Sequence, residues 1–268
     1  MASTLSSRAL PGVAATPDRP QPCDQSTATA DRLIWQMACE IEDGAVVATG
    51  VASPLAVLAI ALARATHAPH LTYLSCVGSL NPKVSRLFGS SEDLAYLAGR
   101  VGEVSIPDLF DHARRGRIDN VFFGAAEVDP YGRTNLSAAG SLAHPTVKFP
   151  GVVGACSLRR WCKRPVLVVP RQDKRALVAR VAVRSTEDDA RRTRLLTNLA
   201  VFTVGAAGAE LEAVAPGVTF DAIRARTGFA YATSLTFHGL DDPPDHVVEA
   251  IHTLDPDRFR SALVGAAA

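Results

Sequence analysis

Residues 118–156 read IDNVFFGAAEVDPYGRTNLSAAGSLAHPTVKFPGVVGAC. The apolar run Val121-Phe122-Phe123 meets three small residues, Gly124, Ala125 and Ala126. That pattern predicts a buried strand ending where backbone must lie close to something else. Asp129-Pro130-Tyr131-Gly132 is a turn: Asp starts it, Pro presets φ at the next position and Gly closes it. A second small-residue loop runs from Gly151 to Cys156. Two such loops suit a bulky ligand held by backbone N–H groups. They also suit an αβ protein with two tight turns and no ligand, and composition alone favours that plainer reading.

Outward from this stretch, the segments alternate. Asp31 to Glu42 has apolar residues at Leu33, Ile34, Met37, Ala38 and Ile41, the spacing of one helix face. Ala45 to Thr49 is a short buried strand, Gly50 to Ser53 a loop, and Pro54 to Ala65 a helix with Pro at its start. Leu71 to Ser75 is a strand, followed by Cys76-Val77-Gly78. Glu92 to Leu97 makes a helical turn or two, and Ile106 to Arg115 a helix. Val166 to Val169 is a strand, and Val178 to Val183 a candidate one. Glu187 to Arg194 is a charged surface stretch. Leu199 to Val204 and Ala209 to Ala215 form a hairpin, Thr219 to Arg226 a helix, and Val247 to Leu254 a last helix. This rhythm predicts an α/β fold with an open, largely parallel sheet and helices on both faces. One domain spans 31–260, after an N-terminal tail, 1–30, whose Ser, Pro, Thr and Ala read as disordered.

Bulk properties exclude some functions. The net charge of +1, from 28 basic and 27 acidic residues, gives no pull toward nucleic acid or an anionic membrane. No apolar run approaches the ~20 residues of a membrane helix. Five cysteines, at 23, 39, 76, 156 and 162, form no CxxC pair or zinc spacing, so no metal site is expected. Their odd number favours reduced thiols and a cytoplasmic setting.

The central stretch resembles the β-type subunit of the family I CoA-transferases, the glutaconate CoA-transferase type in particular. That family carries, in order, a strand, a Gly-Gly-Ala loop, Asp-Pro-Tyr-Gly-Asn, His-Pro and Phe-x-Gly-x-Gly-Gly-Ala. Here these are Phe123-Gly124-Ala125-Ala126, Asp129-Pro130-Tyr131-Gly132-Arg133, His144-Pro145 and Phe149 to Ala155, and the similarity runs from about Ala30 to about Pro256. The resemblance implies an acyl-CoA substrate with coenzyme A as part of it, no permanently bound cofactor, and an α-type partner in a heterodimer or heterotetramer. It places Gly124, Ala125, Ala126, Gly151, Gly154 and Ala155 around the acyl-CoA.

In the family, a Glu after the second strand attacks the thioester, a nucleophilic step that splits one exchange into two. Here Gly78 keeps the turn, but Cys76 holds the Glu position. Cys76 is a nucleophile, an apolar filler, or the product of a shifted alignment. A reactive thiol needs a lowered pKa, and the nearest histidine, His70, belongs at the other end of the strand. The filler reading matches another branch of the superfamily, the steroid ring-opening hydrolases, which also lack this Glu and cleave a C–C bond of a cyclic β-keto acyl-CoA. That reaction is expected slightly ahead of true CoA transfer, and a non-catalytic structural subunit is the third possibility. Other polar candidates are Glu127, Asn135, Asp129 and His144. Arg159, Arg160, Lys163 and Arg164 form a basic cluster expected on a solvated face, as are the basic residues between Arg171 and Arg180.

Overall fold

The computed structural model describes residues 25–186 and 191–265. The expected tail lies outside them as far as residue 24. From Gln25 onward the chain is helical instead, with Thr27, Thr29 and Ala30 buried.

In chain order the strands are β1 (Val46–Ala48), β2 (Thr72–Leu74), β3 (Ser79–Leu80), β4 (Gly102–Glu103) and β5 (Asn120–Gly124), then β6 (Glu127–Val128), β7 (Thr134–Asn135), β8 (Ala138–Gly140) and β9 (Pro145–Lys148). They continue as β10 (Arg164–Val169), β11 (Thr193–Thr197), β12 (Ala200–Val204), β13 (Ala209–Val214) and β14 (Tyr231–Gly239). The α-helices are α1 (Gln25–Cys39), α2 (Pro54–Thr66), α3 (Ile106–Arg114), α4 (Ala155–Trp161), α5 (Phe220–Arg226), α6 (Asp245–Leu254) and α7 (Phe259–Leu263). A 3₁₀ turn covers Leu94–Leu97.

Ten strands make the main sheet, in the order β14-β13-β12-β11-β10-β5-β1-β2-β3-β4. Its centre, β11-β10-β5-β1-β2, is parallel, and the flanks turn antiparallel at β11/β12 and β2/β3. Alternate residues of the central strands feed two cores. Val47, Tyr73, Phe122, Val166 and Val168 pack with α1, α2 and α6. Ala48, Leu74, Val121, Phe123, Leu167 and Val169 pack with residues of α3, α4 and α5. Burial on both sides is why these strands are short unbroken apolar runs rather than alternating ones. The open, largely parallel α/β sheet with helices on both faces holds as expected.

Three regions differ from the expectation. Val178 to Val183 forms no strand; Leu177 and Val178 make only isolated bridges to Val128 and Gly228. The stretch 187–194 lies partly outside the described residues, and its end is not a surface loop, because β11 begins at Thr193. Arg194 within β11 is paired with Glu40 and Glu212. β14 forms one edge of the sheet, with Leu235 fully exposed on it. No helix among the described residues is long and apolar enough to cross a membrane.

A buried charge cluster fastens α1 to the last helices. The Arg260 guanidinium, fully buried, donates to Asp31 at 2.5 Å and to Asp255 at 2.9 Å. His252 adds a 3.1 Å contact to Asp31. Removing one partner of a buried pair leaves the other charge uncompensated, at about 3–5 kcal/mol. Arg260→Ala is therefore expected to lower unfolding free energy by about that amount in urea melts, whereas exposed Arg175, paired with Asp173, is expected to be replaceable at under about 1 kcal/mol.

Candidate active-site cleft

In open α/β sheets, ligands bind beyond the carboxyl ends of the strands, where the winding reverses. Here that point lies between β1 and β5, which are neighbours. From β1 the chain passes through α2 to β2 on one side; from β5 it passes through α4 to β10 on the other. A cavity of ≈ 170 Å³ opens at this place. The loop after β1 (Thr49, Gly50, Val51, Ser53), Cys76 after β2, and Gly124 at the end of β5 form its sheet side. Leu109 and Phe110 of α3 and the 151–155 segment close it. Thr49, Ser53 and Cys76 supply its polar side chains, and among the described residues no carboxylate or basic side chain lines it. Across Gly124 and Ser53 lies a second cavity of ≈ 160 Å³ that reaches Met37 and Leu263.

Backbone geometry marks both loops. Ala52 has φ 53° and Val153 φ 44°, in the left-handed region that L-residues avoid. Such outliers cost about 1–3 kcal/mol each and cluster where function holds them. Val153 is β-branched and 76% exposed, so packing does not explain it. A Cβ added at Gly50, Gly124 or Gly151 would meet nothing within 4 Å, so these cleft glycines leave open space beside the backbone. Gly154 lines the cleft too, but its open side is taken by a neighbour. A Cβ there would lie 2.1 Å from Cζ of Phe110, so its missing side chain seats the Phe110 ring.

Cys76 lies half-buried at the cleft. Its amide donates to Thr49 Oγ1 at 3.4 Å, and its thiol to the Ser91 carbonyl at 3.4 Å. Burial pushes the thiol pKa up, and the Glu92 charge adds to this against the local hydrogen bonds. The proton therefore stays on sulfur. His70 is engaged with Asp43 at the far end of β2. Gly78, with φ 87°, makes the following turn and is absent from the cleft lining.

The remaining expected residues fall elsewhere. Ala125, Ala126 and Glu127 line a separate groove with Phe149 and Arg175, while Ala155 borders the cleft. Asn135 is fully buried; its amide donates to Glu127 at 2.9 Å and to the Ala138 carbonyl at 2.7 Å. Glu127 also accepts the Ala182 amide at 2.7 Å. The two side chains thus pin the β6–β7 hairpin to each other and to the 182 segment. Asp129 is buried and caps its turn through the amides of Tyr131 and Arg133, and burial raises its pKa. His144 is exposed in a loop. Arg159 corrects the solvated-face expectation. It is 1% exposed and donates to Thr134, Thr186 and the Gly132 carbonyl, over the Phe123 ring. Arg160 and Lys163 are exposed as expected. The sequence reading missed Thr49, Gly50, Ser53 and Phe110 as lining residues; the one available signal was the segment Gly50 to Ser53 after the strand, read only as a loop.

The Coenzyme A transferase family matches residues 32–226. The chain belongs to this family. Within the family, the solved decarboxylase AibA/AibB contains a chain 57% identical to this one, with TM-score 0.86, covering 89% of this chain and 99% of that one. That enzyme was also solved with a single cysteine replaced by Val, Ser, Ala or Asn. The β-type subunit of the 3-oxoadipate CoA-transferase of Pseudomonas knackmussii is 28% identical over 246 residues, 85% of this chain and 93% of its own length. Glutaconate coenzyme A-transferase from Acidaminococcus fermentans shares the fold at TM-score 0.76 and 19% identity, over 89% of this chain and 98% of its own.

Two outcomes are expected from the cleft geometry. Because the raised pKa keeps Cys76 protonated, its alkylation by iodoacetamide should reach half-maximal rate above the free-thiol value of about 8.5. Peptide mass spectrometry across pH 7–10 measures this for Cys76 separately. Gly154→Ala should destabilise the fold by about 1–3 kcal/mol through overpacking. Phe110→Ala should cost less in that background than alone, as a thermal-melt double-mutant cycle would read.

Proposed function

We propose that this chain is the β-type subunit of a two-subunit decarboxylase acting on a carboxylated acyl-CoA, paired with an α-type partner. The observation that carries the reading is the 57% identity, over nearly its whole length, to a chain of a solved decarboxylase. The cleft's chemistry supports it. A carboxylate is costly in an apolar site and neutral CO₂ is not. In the step proposed, the bond to the carboxyl carbon breaks and CO₂ leaves. The electron pair passes into conjugation with the thioester carbonyl, whose oxygen takes the charge. Backbone N–H groups of the small-residue loops are suited to holding that oxygen. The Cys76 thiol then delivers its proton to carbon and regains one from solvent. A group that stays protonated at neutral pH suits a proton donor better than a nucleophile.

True CoA transfer is the second reading, favoured by the similarity to the 3-oxoadipate CoA-transferase chain along most of its length. The ring-opening cleavage of a cyclic β-keto acyl-CoA also breaks a C–C bond beside a stabilised carbanion, and the decarboxylase reading stands ahead of it on identity. The assembled complex, given a dicarboxylic acyl-CoA, should release CO₂ and keep the thioester intact. Transfer of CoA to an acceptor acid, or free CoA without CO₂, would overturn decarboxylation. The lone chain should be inactive. Cys76→Ser should lower kcat about a hundredfold, the lower end of general acid catalysis, with KM unchanged; an unchanged kcat would return Cys76 to filler.

A further inference from the structure

The segment Ser90-Ser91-Glu92 lies outside the cleft lining yet touches two parts of its sheet side, the loop after β1 and Cys76. Glu92 Oε1 accepts the amide of Ala52 at 2.7 Å, the residue with φ 53°. Ser91 is fully buried; its hydroxyl accepts the amide of Ser53 at 3.0 Å and donates to Glu92 Oε2 at 3.1 Å. The Ser91 carbonyl accepts the Cys76 thiol at 3.4 Å. Ser90 donates to that same Oε2. One tripeptide therefore grips the loop after β1 and the thiol after β2 together.

We propose that Glu92 is a positioning residue, which holds the Ala52 loop in its left-handed turn and thereby sets the Gly50 and Val51 amides against the Cys76 thiol across the cleft. Among the described residues those two amides have no hydrogen-bond acceptor, and both residues line the cleft. An amide-to-carboxylate bond is stronger than a neutral one, and it acts on a backbone conformation that L-residues avoid. Burial pushes the Glu92 pKa up, but the hydrogen bonds from Ser90, Ala52 and Ser91 outweigh it and hold the carboxyl below its ordinary range. The clamp is thus charged throughout the neutral range and is lost only as pH falls through that lowered value.

The activity arm of the test rests on the decarboxylase reading; the other arms do not. In the assembled complex, Glu92→Ala should speed hydrogen exchange of the Ala52 amide, the one that donates to the carboxylate, about tenfold, which is about 1.4 kcal/mol. Because the side chain is exposed, the melting temperature should stay within about 3 °C. The alkylation rate of Cys76 should change at least threefold, and kcat should fall at least tenfold with KM little altered. Glu92→Gln keeps an oxygen for the Ala52 amide and should recover most of both losses. Unchanged exchange in Glu92→Ala would overturn the proposal, as would a kcat loss unaccompanied by faster exchange. If Glu92→Ala melts substantially lower, Glu92→Gln decides: slow exchange with near-normal kcat supports the clamp, and slow exchange with a lost kcat overturns it. A wild-type complex that releases no CO₂ overturns the decarboxylase reading alone, since exchange and alkylation still report on the clamp.

Discussion

The fold depends on β5 being buried from both sides. Phe122 enters one core, with α1, α2 and α6, while Val121 and Phe123 enter the other. The strand hydrogen-bonds in parallel to β1 on one edge and β10 on the other. Neither core closes without it, and each buried aromatic of this kind contributes on the order of 2–3 kcal/mol of transfer free energy. The strand also carries the winding reversal. Because β1 and β5 send the chain to opposite sides, their carboxyl ends cannot be bridged by a single tight connection. The space left there is the cleft, and Gly124 stands at its centre as the wall between the two cavities.

Much of this was legible in the chain. The runs Ala45 to Thr49, Leu71 to Ser75, Val121 to Phe123 and Val166 to Val169 are apolar, short and bounded by Gly, Pro or polar residues, and each became a strand of the parallel centre. The hairpin of β12 and β13 followed from its Gly-flanked turn. The missed elements share a cause: their signals depend on distant partners. Arg194 made the start of β11 look like surface; its side chain is indeed part-exposed and pairs with Glu40 and Glu212, which are far away in the chain. β14 is an edge strand with most residues exposed, and its alternating Tyr231 and Phe237 meet a core built by strands and helices far from it in the chain. The Thr- and Ala-rich start of α1 has a tail's composition, yet Thr27 lies against Ser261.

The site was legible in outline only. Small-residue loops marked where backbone approaches open space, and Cys76, Gly124 and Gly151 do share one cleft. Sequence does not say which glycine faces a ligand and which faces a neighbour, because that is decided by a side chain far away in the chain, here Phe110 against Gly154. Nor does it separate a carboxylate that meets substrate from one that braces a hairpin. Glu127 and Asn135 looked like chemistry and pin a turn. Arg159 looked like surface and sits at the centre of a buried network of hydroxyls and a carbonyl.

The buried link between Asp31 and Arg260 bears on the timing of folding during synthesis. The two residues are 229 positions apart. At about 5–20 residues per second, the arginine is made roughly 10–45 s after the aspartate. Throughout that interval the carboxylate on α1 has no guanidinium to meet, and burying it alone is costly. Helix α1 can pack its apolar face on the sheet before then, but the pair that fastens it to the last helices forms only once Arg260 has emerged. The fastening of the first helix is thus completed by a residue made 229 positions later.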